Sequence, residues 1–122
     1  MLILNNIFEH IFLKNVNQIK RIRILTGYTS GFFLKFFIKE FPNIPIDVYI
    51  GMAQQGIKKN DHDIYLKLSK KSSFNLYYQV AGKDTHMKLF EIEYFNHKET
   101  YVGSANFSFS GMFEQNELMT LV

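Results

Sequence analysis

Three features of the sequence predict an α/β domain built on a mixed β-sheet. Strand-like and helix-period segments alternate through the first half, strand-like segments crowd the second, and 122 residues are enough to enclose one core. Thirteen Phe and seven Tyr in a chain that is 47% hydrophobic exclude a disordered tail and predict a dense interior. Residues 1–122 therefore read as a single domain.

Each element has its own signal. Leu4, Ile7, Phe8, Ile11, Phe12, Val16 and Ile19 recur at helical spacing, so an amphipathic opening helix is expected as a cover over the core. Arg21 to Leu25 alternates arginine with isoleucine or leucine and runs into Thr26-Gly27, the pattern of a short strand ending in a turn. Tyr28-Thr29-Ser30 offers a cap for a helix from Gly31 to Phe41, which Pro42 ends. Its apolar residues almost encircle it, and Phe32, Phe33, Phe36, Phe37 and Phe41 read as core rather than as a base-stacking platform. Ile46 to Ile50 is a second strand, and Gly51 to Asn60 is a polar loop with two lysines. Asp61 is placed to cap a short helix through Leu68. Phe74 to Val80 is a third strand, Gly82-Lys83-Asp84 a turn, and Thr85 to Phe95 and Thr100 to Ser104 two strands joined through residues 96–99. Ser108 to Phe113 fits a short helix or tight turn, and Glu117 to Val122 a last strand. Ending within a core strand predicts that the chain is the N-terminal part of a longer protein.

Charge and composition narrow the function classes. A net charge of +3 is compatible with a polyanion partner but is far below that of a basic nucleic-acid-binding arm. With no cysteine there is neither disulfide stapling nor thiolate ligation of metal, which fits a reducing compartment. The N-terminus has no basic region followed by an apolar run, and no segment is long and apolar enough to span a bilayer. A soluble cytoplasmic protein with no membrane partner is expected.

The chemistry concentrates in the last third. His86-Met87-Lys88 is followed by Gly103-Ser104-Ala105-Asn106 and then by Glu117. A histidine supplies a nucleophile or general acid near neutral pH, lysine and asparagine can hold non-bridging phosphate oxygens, and a carboxylate can fix the imidazole tautomer. That set can act on a phosphodiester without metal or cofactor. On strands, His86 and Lys88 share a face, as do Ser104 and Asn106, and a hairpin around residues 96–99 brings the two pairs to one end. Glu117, at the start of the last strand, is placed to accept a hydrogen bond from the His86 ring.

These residues resemble the HxK and GSxN signature of the phospholipase D superfamily, including a glutamate eleven residues past the asparagine. Glu93 stands where that family has an aspartate after the lysine, and the glycine-serine pair falls later than its commonest spacing. Within the superfamily, the single HxK and the Thr26-Gly27-Tyr28-Thr29-Ser30-Gly31 turn look most like the restriction endonucleases of the NgoFVII and BfiI kind. The resemblance implies a phospholipase D-like catalytic domain, its mixed sheet flanked by helices on both faces, acting on DNA as part of a type II restriction enzyme. It implies attack by one histidine to give a phosphohistidine while a second protonates the leaving oxygen. One HxK per chain then implies a symmetric homodimer, with His86 of each protomer facing the other. Lys88 and Asn106 would stabilise the phosphoryl oxygens, and Ser104 would hydrogen-bond within the pocket.

Plainer explanations cover the other candidates. Asp61-His62-Asp63 points in different directions on a helix start and reads as a cap with charged neighbours, not a metal site. His10 and His97 read as surface residues. Lys58 and Lys59 fit contacts to a phosphate backbone and a solvated loop equally well. Thr29 and Ser30, at a helix N-terminus, can help bind phosphate, though capping alone explains them. Two other functions compete: a phospholipid-hydrolysing or phosphatidyl-transferring enzyme of the same superfamily, and a catalytically silent DNA-binding or dimerisation module. The first would need an apolar entrance beside the motif, and the second would have no reason to keep every chemical position but the conservative Glu93.

Overall fold

The computed structural model describes residues 2–3, 6–114 and 117–122. Seven strands form one mixed sheet: β1 (Leu2–Ile3), β2 (Ile19–Thr26), β3 (Ile46–Ile50), β4 (Phe74–Tyr78), β5 (Leu89–Tyr94), β6 (Lys98–Gly103) and β7 (Met119–Leu121). Their spatial order is β1-β7-β6-β5-β2-β3-β4. Parallel pairing joins β2, β3 and β4, and antiparallel pairing joins the remainder, which is the mixed sheet the sequence predicts. Two α-helices, α1 (Gly31–Glu40) and α2 (Lys59–Leu68), make the crossovers between the parallel strands.

The opening segment departs from expectation. Instead of one helix there is a π-helical turn at Phe8–Leu13 and a 3-10 turn at Val16–Gln18, and Ile19 already belongs to β2. Asparagines explain the break: Asn6 takes a positive φ of 49° and Asn15 leaves helical geometry at φ −136°, ψ 51°. The segment still acts as a cover, burying Ile7, Phe8, Ile11 and Phe12, whereas Leu4 lies outside the described residues.

Helix α1 begins as its sequence suggests, with Ser30 Oγ accepting the Phe33 N–H at 3.1 Å, and stops before Pro42. Phe33, Leu34, Phe37 and Ile38 form its buried stripe, while Phe32 is 63% exposed. The core is aromatic, with edge-on pairs such as Phe33–Phe107 at 4.8 Å and Phe12–Phe37 at 5.0 Å between ring centroids. Such pairs each add about 0.5–1.5 kcal/mol beyond their area burial.

Strand alternation decides where the helices go. Ile22, Ile24, Val48, Phe90 and Ile92 point into the helical layer, whereas Arg21, Arg23, Asp47, Glu91, Glu93 and Lys98 occupy the opposite face. The two crossover helices pack on each other over the apolar face, rather than dividing between both faces, because right-handed crossovers that step the same way from β2 to β3 to β4 lie on one side of the sheet, and the charged face satisfies itself. Arg21 reaches Asp47 at 2.8 Å and Arg23 reaches Glu93 at 2.9 Å. The hydrogen bond from Arg23 holds the Glu93 carboxyl below the usual carboxylate range. Glu93 thus has a structural partner on this face. Among the described residues no helix is long and apolar enough to cross a membrane.

Candidate active site

Strands β2, β3, β4 and β6 run in one direction, so Thr26, Ile50, Tyr78 and Gly103 all end at the same edge of the sheet. Antiparallel β5 and β7 begin there, at Leu89 and Met119. Crevices outside the carboxyl ends of strands are where α/β sheets gather loops that bind ligands. Here that edge carries His86, Lys88, Ser104, Asn106 and Glu117.

The HxK segment lies just before β5 rather than inside a longer strand. Leu25 pairs with Leu89, and beyond them β2 turns away at Gly27 and β6 at Gly103, so residues 85–88 lose their ladder partners. Two backbone bonds hold what remains: Gly103 N–H to Lys88 O at 3.3 Å, and Thr85 N–H to Gly51 O at 3.0 Å. A Cβ at position 51 would sit 2.4 Å from Thr85 O, so this close approach requires glycine. The result is an exposed His86 beside a half-buried Lys88. Among the described residues neither side chain makes a hydrogen bond or ion pair to protein, which leaves an imidazole and an ammonium free for a ligand.

The GSxN segment is held from two sides. Ser104 N–H donates to Leu118 O at 2.8 Å, and Ser104 Oγ accepts the Leu118 N–H at 2.9 Å. The same hydroxyl donates to Glu117 Oε2 at 2.5 Å. Glu117 is therefore bound to Ser104 and not to the His86 ring, as its spacing suggests. β7 starts only at Met119, so residue 117 lies beside the turn after β6 instead of reaching across to the segment before β5. Asn106 is half-buried against the other side of the site, its Oδ1 3.2 Å from Thr26 Oγ1.

Beside this edge, Thr29, Ser30 and Lys58 help line a cleft of about 300 Å³. Their roles diverge. Ser30 Oγ is committed to the Phe33 N–H, and Thr29 Oγ1 is buried without a hydrogen-bond partner among the described residues. Lys58 is exposed at the start of α2, and Lys59 pairs with Asp63 at 3.0 Å on its own helix. Asp61 does not cap α2 itself: its carboxylate accepts the Gly31 N–H of α1 at 2.9 Å, placing an anion where a phosphate would otherwise approach that helix. His62 turns to Tyr78 OH at 2.9 Å, so the Asp61-His62-Asp63 run has three separate partners.

Sequence reasoning missed Thr26 and Gly51 as parts of this site. Thr26 was detectable as a lone polar residue in the inward-facing series Ile22, Ile24, Thr26, whereas the Gly51–Thr85 approach is a tertiary contact with no local signal.

Comparisons with known proteins agree with this fold. Residues 4–122 match the family described as the NgoFVII restriction endonuclease N-terminal PLD domain. No curated protein matches. Among solved structures, the chain is similar to NucT from Helicobacter pylori, with a TM-score of 0.62 and 13% identity over 98% of this chain and 81% of that one. It is also similar to yeast tyrosyl-DNA phosphodiesterase, with a TM-score of 0.58 and 16% identity over 97% of this chain but only 30% of that one. At these identities the structural matches show a shared fold. The family match reaches further, and the chain belongs to the NgoFVII restriction endonuclease N-terminal PLD domain family, among the phosphodiesterases and nucleases of the phospholipase D superfamily.

Proposed function

We propose that this chain is the catalytic domain of a type II restriction endonuclease, cutting DNA phosphodiesters without a metal ion through a phosphohistidine on His86. The observation that carries this reading is the convergence of His86, Lys88, Ser104, Asn106 and Glu117 on one sheet edge, joined by the Lys88–Gly103 and Ser104–Leu118 backbone bonds. The family's restriction endonucleases supply the DNA substrate.

In the first step an imidazole nitrogen of His86 attacks phosphorus and the bond to the leaving oxygen breaks, with a proton delivered to that oxygen. In the second, water displaces the imidazole and yields its proton to the acid of the first step, now acting as base. That acid is His86 of a second copy across a twofold axis, since the HxK occurs once in the chain. Met87, 58% exposed, and Leu118, 40% exposed, give the rim apolar surface that a second copy would cover. Lys88 and the Asn106 amide hold the non-bridging oxygens as negative charge develops. Glu117 acts through Ser104, fixing the turn that presents Asn106.

The test is plasmid cleavage in excess chelator by the wild-type chain and by His86→Ala. The reading expects nicking by the wild type and a loss of roughly 10³-fold or more in the variant, as for removal of a catalytic nucleophile. Cleavage that requires added magnesium, or that survives loss of His86, contradicts it.

A further inference from the structure

We infer that the buried hydroxyl of Thr26 is a positioning group that turns the Asn106 amide so that its Nδ2–H donors face the substrate. The inference rests on the reading of Asn106 as a ligand of phosphoryl oxygens.

Thr26 closes β2 and is completely buried, and apart from the core tyrosines it is the one polar residue buried as a whole among the described residues. Its inward-facing neighbours along the strand are Ile22 and Ile24, so packing alone favours a valine of the same shape there. The hydroxyl is used instead. It accepts the Phe107 N–H at 3.0 Å, and its single proton lies between two acceptors, Tyr28 O at 2.8 Å and Asn106 Oδ1 at 3.2 Å. Gly27 lies beside this seat, where a Cβ would meet Asn106 Oδ1 in ordinary contact at 3.5 Å and Met52 Sδ more tightly at 3.2 Å.

The orientation matters because the two ends of an amide are chemically opposite. With Oδ1 drawn toward Thr26, the Nδ2–H groups on the other side of the amide face away from Thr26 and can donate to anionic oxygens. With the amide reversed, a carbonyl oxygen would face those anions and repel them. Thr26 thus links the Thr26-to-Gly31 turn to the catalytic edge without touching substrate.

The experiment compares hydrolysis of bis(para-nitrophenyl) phosphate by Thr26→Val, Thr26→Ser, Asn106→Ala and the Thr26→Val/Asn106→Ala pair. Thr26→Val is expected to lower kcat about tenfold with little change in KM, as for loss of a group that orients a ligand. Thr26→Ser should restore most of the rate, and Thr26→Val should add no further loss once Asn106 is alanine. The same loss with and without Asn106, or no rescue by serine, overturns the inference. Wild-type rates in Asn106→Ala and His86→Ala would instead overturn the active-site reading itself. If Thr26→Val does not fold, nuclear Overhauser contacts in the wild type decide: proximity of the Asn106 Nδ2 protons to the Thr26 side chain overturns the assigned orientation.

Discussion

Ser104 carries two connections through one hydroxyl, donating to Glu117 and accepting from the Leu118 backbone. Replacing it with alanine leaves the Leu118 N–H without that acceptor and frees the Glu117 carboxylate. The group is exposed, so water compensates in part and the expected cost is about 1 kcal/mol, measured as a lower midpoint in urea at unchanged slope. The conservative exchange Glu117→Gln keeps an acceptor for the Ser104 hydroxyl. It is therefore expected to reduce cleavage far less than His86→Ala does, and a loss as large as that of His86→Ala would instead assign Glu117 a direct part in the proton chemistry. Residue types and spacing made these positions visible in the sequence. Which polar group would bind which was not, because several of them converge on one edge and their pairing depends on where β7 begins.

At the scale of elements, local signals were read well wherever an element is held by its own chain. The Ser30 cap, the stop before Pro42 and the β3 boundaries match their sequence patterns, and the β5–β6 hairpin forms with β6 starting two residues early, at Lys98. Other elements differed because tertiary context decided them. The opening helix broke at asparagines, and the expected Thr85 to Phe95 strand lost its first four residues where both neighbouring strands turn away. That second departure shapes the site, since it leaves His86 outside the ladder, next to Thr85, which rests on Gly51. Gly51→Ala is accordingly expected to displace residues 85–86, costing about 1–3 kcal/mol of stability. The same change should reduce cleavage on the order of 10²-fold, because small misplacements of a reacting group are expensive. Thermal unfolding and cleavage rates measured on one preparation separate these effects, and unchanged activity would detach that segment from the chemistry. The α1–α2 contact offers a smaller test: Asp61→Ala removes the acceptor for Gly31 N–H and should lower stability by about 1 kcal/mol with α2 still formed.

Across the whole molecule, carboxylates that tie distant parts together set the acid limit of stability. Burial alone would raise the Glu99 carboxyl, but hydrogen bonds from Lys14, His97 and Tyr101 outweigh it and hold the group below the usual range. Glu93 is lowered chiefly by its bond from Arg23. A lowered native pKa means that the unfolded chain binds more protons, so this stability is complete above about pH 5 and is lost as pH falls through the native values. Urea midpoints measured from pH 6 down to pH 3 should fall for the wild type and fall less for Glu99→Gln. The α/β class and mixed sheet were legible from the order of segments. The gathering of both crossover helices on one face was not, because it follows from the spatial order of the parallel strands β2, β3 and β4, which no local pattern records. The claim on which the rest depends is that His86 forms a covalent bond to phosphorus. Rapid alkaline quenching during cleavage in chelator, followed by mass analysis of the peptide containing His86, measures it directly. A phosphoryl adduct on His86 that is acid-labile and absent from His86→Ala is the predicted result. Active cleavage with no adduct on that peptide, or an adduct on another residue, would contradict it.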